Sequence, residues 1–182
     1  ANGPVIGLLL NIFIGIALGA NVVIANAIGR GDSNTVSRAV HTSIVAAVLG
    51  GIIVGLLGQL VAEPVLSMLQ VPEDVFPLAL KYMRIYLLGL PVIFLYNFEA
   101  AIFRSAGDTK TPLIALALSG VLNVILNLFF VIVLNKTVDG VAIATVLANV
   151  VSSVVLLRRL LRSELFIHVE FKNLRIDWKI LW

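Results

Sequence analysis

The sequence predicts an all-α integral membrane protein, and three observations predict it. Sixty per cent of the 182 residues are hydrophobic and the mean hydropathy is +1.07. Charged residues make up 13%, against about a quarter in a soluble domain. Five apolar segments each reach the ~20 residues that a helix needs to cross a hydrocarbon core of ~30 Å. Cysteine is absent, which excludes a disulfide framework and cysteine-based metal or redox chemistry.

The first span covers about residues 4–28. It has no basic start and exceeds the ~7–15 residue apolar region of a cleavable signal peptide. Gly29-Arg30-Gly31-Asp32-Ser33-Asn34 ends it, and Asp32 or Ser33 is available to cap the next helix. The second span covers about residues 40–62, after which Pro64, Pro72 and Pro77 are expected to bracket a loop. The third covers about residues 82–103 and should kink at Pro91, which removes a backbone hydrogen bond. Thr111-Pro112 reads as an N-cap with proline at the first helical position, opening a fourth span over 112–134. A short turn around residues 135–140 leads into the fifth span, 138–157.

Residues 1–157 thus form a membrane domain, and residues 158–182 read as a cytoplasmic amphipathic linker. In that tail Leu174, Trp178, Leu181 and Trp182 share one helical face, while Lys172, Arg175 and Lys179 lie elsewhere. The pattern suits a helix lying in the membrane interface, or a connection into a further membrane segment. The two readings are compatible.

Charge sets the orientation. Ten of the 13 basic residues fall in alternate connections: Arg30 and Arg38, then Arg104 and Lys110, then Arg158, Arg159, Arg162, Lys172, Arg175 and Lys179. Lys81, Arg84 and Lys136 fall on the other side. The positive-inside rule places the first group in the cytoplasm. Ala1 then lies outside, which suggests that another helix precedes it. Basic residues distributed in this way are a topology signal and no nucleic-acid footprint.

Polar residues inside the spans mark candidate sites, because a polar group facing lipid is costly. In the fourth span Ser119, Asn123 and Asn127 recur every four residues and so share a face. In the fifth, Thr145, Asn149 and Ser152 or Ser153 do the same. The stripes either line a common hydrophilic cavity or hold helices together. Glu99 is the acidic residue well inside a span, preceded by Tyr96 and Asn97. A carboxyl at that depth suits proton exchange; the competing expectation is that Glu99 pairs with Arg104 or is hydrated. Asn11, Asn21 and Asn26 carry weaker signals of the same type.

Other motifs carry less. Arg30-Gly31-Asp32 spells an adhesion tripeptide but is expected in the cytoplasm. Asn135-Lys136-Thr137 fits a glycosylation pattern yet lies hard against the membrane. The glycines lack the Gly-Lys-Ser/Thr ending of a phosphate loop. His41 and His168 are isolated, which argues against a metal site or a catalytic pair. No enzymatic activity or cofactor is expected.

Two loop motifs and their flanks carry a family resemblance. Gly19-Ala20-Asn21-Val22-Val23-Ile24-Ala25, then Ile28-Gly29-Arg30-Gly31-Asp32 and Ser37-Arg38-Ala39-Val40-His41-Thr42, resemble the multidrug and toxic compound extrusion (MATE) transporters. So do Arg104-Ser105-Ala106-Gly107-Asp108-Thr109-Lys110-Thr111-Pro112, Leu122-Asn123-Val124-Ile125-Leu126-Asn127 and Gly140-Val141-Ala142-Ile143-Ala144-Thr145-Val146. The resemblance implies a fold of twelve helices in two six-helix lobes. The five spans here correspond to helices two to six of the N-terminal lobe, leaving the first helix and the C-terminal lobe as partners within the same protein.

The resemblance further implies alternating access in a multi-pass protein of the cell membrane, expected to be a bacterial inner membrane. Such a protein exports organic cations or amphipathic small molecules against H+ or Na+. Family members that bind the coupling ion in this lobe use positions matching Asn123, Asn127 and Thr145, so Na+ is expected near these three. Many carry aspartate at the position of Asn127, and an amide is no proton carrier. Asn149 and Glu99 extend the cavity set. Gly31, Asp32, Arg104, Gly107 and Asp108 form the loop motifs. Pro91 and the glycines of the second span (Gly50, Gly51, Gly55, Gly58) are places for bending or close packing. Two rivals are a lipid-linked precursor flippase of related fold and a non-transporting membrane scaffold.

Overall fold

The structure, a computed structural model, describes residues 19, 21–163, 167–169 and 177. All of its regular structure is helical. Helix α1 covers residues 21–29; α2 is Ser33–Met68, α3 Phe76–Leu88, α4 Leu90–Ser105, α5 Lys110–Leu128 and α6 Val138–Leu161. A π-helical turn, Phe129–Val133, extends α5. Helix α2, α5 with its extension, and α6 are each long and apolar enough to cross a membrane, and α3 with α4 makes one further, bent span. The chain is therefore a multi-pass membrane protein. Most of the first expected span and most of the 158–182 tail lie outside the described residues. Within the tail, α6 runs on to Leu161, one turn past the expected end.

Each helix begins and ends for a local reason. After α1, Gly31 adopts φ +67°, the left-handed region open to glycine. Its N–H bonds the Ile28 carbonyl and the Asp32 N–H reaches back to Ala27 (both 3.0 Å), closing a Schellman turn. Asp32 then caps α2: its Oδ1 accepts from the Thr35 N–H at 3.0 Å and its Oδ2 from the Thr35 hydroxyl at 2.5 Å. The junction from α4 to α5 repeats this design. Gly107 has φ +82°, its N–H bonds the Arg104 carbonyl at 3.0 Å, and the Asp108 N–H reaches Phe103 at 2.9 Å. Asp108 Oδ1 then accepts from the Thr111 N–H at 2.9 Å. This corrects the expected Thr111 cap: α5 starts at Lys110, and Thr111 donates to the cap.

Helix α2 is the backbone of the lobe. Its 36 residues extend well beyond the expected 40–62, about 54 Å at 1.5 Å per residue. Pro64, expected to open a loop, lies within it. The ring sits on the exposed side while Ala62 and Leu66 are fully buried, so packing carries the helix across the missing hydrogen bond. The bent pair α3–α4 docks against α2. The chain turns by 50° at Gly89, just before Pro91, as the expected kink required. Gly51, Gly55 and Gly58 let the bend approach. A Cβ on Gly51 would sit 2.4 Å from the Pro91 Cα, and one on Gly55 2.8 Å from the Leu87 carbonyl oxygen. Close packing is thus the role of these glycines.

Helix α6 packs against α3, α4 and α5. Two apolar clusters form the core. One, near Gly31 and Gly107, joins the ends of α1, α2, α4, α5 and α6 through residues such as Ile24, Val36, Phe103 and Leu160. The other, around Leu66, Leu87 and Phe94, fills the opposite half. The two loop motifs and the C-terminal end of α6 therefore share one end of the lobe. Outward-facing Leu56, Leu60, Leu113 and Val121 cover the flanks, as lipid contact requires.

Candidate functional site

The polar stripes of α5 and α6 meet. Asn127 Nδ2 donates to Asn123 Oδ1 at 2.9 Å, Asn123 Nδ2 to Thr145 Oγ1 at 3.3 Å, and Thr145 Oγ1 to the Val141 carbonyl at 3.0 Å. One turn on, Ser119 Oγ crosses to the Ala148 carbonyl at 2.8 Å. Four-residue spacing places these side chains on facing stripes, and the close antiparallel hairpin brings them into register. Thr145 links Asn123 to its own helix. Asn149 instead donates to the Thr145 carbonyl at 2.8 Å and stays on α6.

The seam is not closed. Asn127 Oδ1 is buried and has no hydrogen-bond partner among the described residues. Directly beyond it α5 becomes π-helical at Phe129, a local rewinding often found at functional positions. Gly140 allows the start of α6 to approach that turn, since a Cβ there would lie 2.8 Å from the Phe130 Cβ.

Glu99 lies elsewhere, between α4 and α6. It is fully buried. Ser153 Oγ donates to its Oε2 at 2.9 Å, and its Oε1 has no partner among the described residues. This corrects the expected pairing with Arg104 or hydration. Arg104 is five residues along α4 and points to the exposed side, whereas i and i+5 on a helix do not share a face. Sequence reasoning placed Ser152 or Ser153 on the polar stripe of the fifth span and did not foresee that Ser153 bonds Glu99. Ser152 turns to the Ala148 carbonyl at 3.1 Å within α6.

The loop-motif residues are brought together at one end, apart from the seam, and serve as caps. Both carboxyls are held below the usual carboxylate range. For Asp32 the Thr35 hydroxyl is the main cause and the Thr35 amide the next; for Asp108 the hydroxyl and amide of Thr111 act in the same order. At the opposite end Asp139 gathers Lys81 at 2.9 Å and Lys136 at 3.9 Å, and Glu63 faces Arg84 at 3.6 Å. Sequence reasoning missed Asp139. The signal for it was an acidic residue beside Lys136 on the face that also carries Lys81.

Over residues 3–129 the chain matches the family model MatE. The probable multidrug resistance protein YpnP of Bacillus subtilis is 37% identical over 89 residues, which cover 49% of this chain and 20% of that protein. The probable multidrug resistance protein YoeA of the same organism is 29% identical over 158 residues, covering 85% of the chain and 34% of YoeA. The chain thus spans about a third or less of these curated relatives. Among solved structures, an inward-facing multidrug resistance MATE family transporter of the MOP superfamily superposes with a TM-score of 0.92 at 23% identity. That match covers 99% of this chain and 41% of the other, and it shows the fold.

Proposed function

Because the chain belongs to the MatE family of multidrug and toxic compound extrusion transporters, we propose that the intact protein exports organic cations or amphipathic small molecules across the cell membrane in exchange for H+ or Na+. The observation that carries this reading is a pair of buried acceptors within the spans, Glu99 Oε1 and Asn127 Oδ1, that lack a donor among the described residues. Polar groups that only hold helices together are satisfied by one another. An acceptor left open inside a membrane protein is a place for a proton or a cation.

The two acceptors have different chemistry. Glu99 is a carboxyl and carries H+ in a proton-coupled cycle. Asn127 is an amide and offers only a carbonyl oxygen, so with Asn123 and Thr145 it serves as an oxygen ligand for Na+. Asn149, one turn on from Thr145 along α6, extends this polar set. In the exchange, ion and cargo each favour a different state of the lobe, since a ligand shifts states only through differential affinity. The bend at Gly89 and Pro91 is the place in this lobe where such a shift is absorbed, and the cytoplasmic membrane of a bacterium is its setting.

The test is ethidium efflux from energised cells expressing the intact protein, with the proton and sodium gradients collapsed separately. Efflux lost with one gradient alone supports antiport and names the ion. Efflux no greater than in cells with empty vector, at confirmed expression, overturns the reading.

A further inference from the structure

A cleft of about 470 Å³ opens at the end of the lobe that carries Gly31 and Gly107, between the C-terminal turn of α6 and the start of α5. Arg158, Arg159 and Arg162 line it, with Thr111, Phe103 and Val155. Arg158 and Arg162 are four residues apart and Arg159 and Arg162 three, so the helix aims all three at one region. All three are exposed. Asp108 also borders the cleft, but its carboxyl already accepts from the Thr111 N–H at 2.9 Å.

These arginines contrast with the basic residues of the opposite end. There Lys81, Lys136 and Arg84 each face a carboxylate within 4 Å. Among the described residues Arg158, Arg159 and Arg162 form no salt bridge, and Asp108, which Arg159 attracts from a distance, is the one acidic residue lining the cavity with them. Cations suit the last turn of a helix through its dipole, which accounts for a preference for arginine there but not for the cavity. The positive-inside rule places this end at the cytoplasmic surface. Half-buried Val155, with the core residue Phe103 behind it, gives the cleft an apolar side next to the cationic one.

We propose that this cleft binds the phosphate headgroup of an anionic phospholipid of the cytoplasmic leaflet. Arginine forks match phosphate oxygens in pairs, and basic pockets between helices on this side of a membrane bind anionic headgroups. The apolar side takes the glycerol and the first part of an acyl chain. A free phosphate would use the arginines and leave the half-buried Val155 uncovered. This inference is independent of what the protein transports.

The test is native mass spectrometry of the intact protein released from detergent, with phosphatidylglycerol, phosphatidylcholine or inorganic phosphate added. Phosphatidylglycerol is expected to bind more tightly than phosphatidylcholine. Arg159→Gln should weaken it about fivefold, and the R158Q/R159Q/R162Q variant on the order of a hundredfold. Lys110→Gln, at the same end but outside the cleft, should leave it unchanged. Equal binding of the two lipids overturns the proposal, as does phosphatidylglycerol binding that R159Q and the triple variant leave intact. Inorganic phosphate displacing phosphatidylglycerol at equal concentration would assign the cleft to a free anion and overturn the lipid.

Discussion

Ser153 Oγ and Glu99 Oε2 lie 2.9 Å apart across the contact between α4 and α6, and the other carboxyl oxygen of Glu99 has no partner among the described residues. The bond ties the half of the bent span beyond Pro91 to the helix that carries Thr145 and Asn149. A proton gained or lost at Glu99 would therefore act on the contact between these two helices. Glu99→Gln keeps the volume and the acceptor for Ser153 and removes the titration. It is expected to fold and reach the membrane, yet to lose proton-driven ethidium export by at least about tenfold at matched expression. Ser153→Ala is expected to retain export in part, with a shifted pH profile.

The glycine seam gives a prediction about stability. Gly51→Ala places a Cβ against the Pro91 backbone, and neither backbone can yield without moving a helix. The expected cost is about 1–3 kcal/mol, read as a lowered melting temperature of the intact protein in detergent. Gly120→Ala is the control. Nothing lies within 4 Å of a Cβ at that position, and better helix propensity should raise stability by up to about 1 kcal/mol.

The loop motifs predict a second contrast. Gly31 and Gly107 occupy the left-handed region, so alanine at either should cost about 1–2 kcal/mol. Gly29 is helical and has open space around it. Gly29→Ala should leave the melting temperature unchanged or raised.

Acid should weaken the same turns. Asp32 and Asp108 are held below the usual carboxylate range by their threonine partners. A depressed carboxyl stabilises the fold fully above its unfolded value of about 3.9. That contribution disappears as pH falls through the lower folded value. Thermal melts taken from neutral pH downward should show the wild type losing more stability below about pH 4 than a D32N/D108N variant, which keeps the acceptor and loses the titration.

Much of this was legible in the sequence. Apolar length located the four spans that lie within the described residues, Gly31-Asp32 and Gly107-Asp108 marked the turns, Pro91 announced the bend, and four-residue spacing found the stripes. What failed did so for physical reasons. Pro64 reads as a breaker locally, but burial of Ala62 and Leu66 on either side overrides it. Thr111-Pro112 looks like a helix start, whereas Asp108 three residues before Thr111 has the better acceptor. For Glu99, pairing with Arg104, which is near in sequence, or hydration was weighed against a proton-exchange role. Which faces meet is decided by the docking of α4 on α6, and one chain's spacing does not encode that. The π-helical turn after Asn127 has no sequence signal that periodicity reads.

Ion-coupled export is the function proposed for the intact protein. Its most direct test places the intact protein in proteoliposomes with a pH-sensitive dye inside and imposes a pH gradient or a sodium gradient separately. Ethidium movement should follow one gradient and run opposite to that ion. If the ion is H+, the dye should report proton flux that Glu99→Gln abolishes. Ethidium movement that ignores both gradients would contradict it, as would, for movement driven by the pH gradient, proton flux equal in wild type and E99Q.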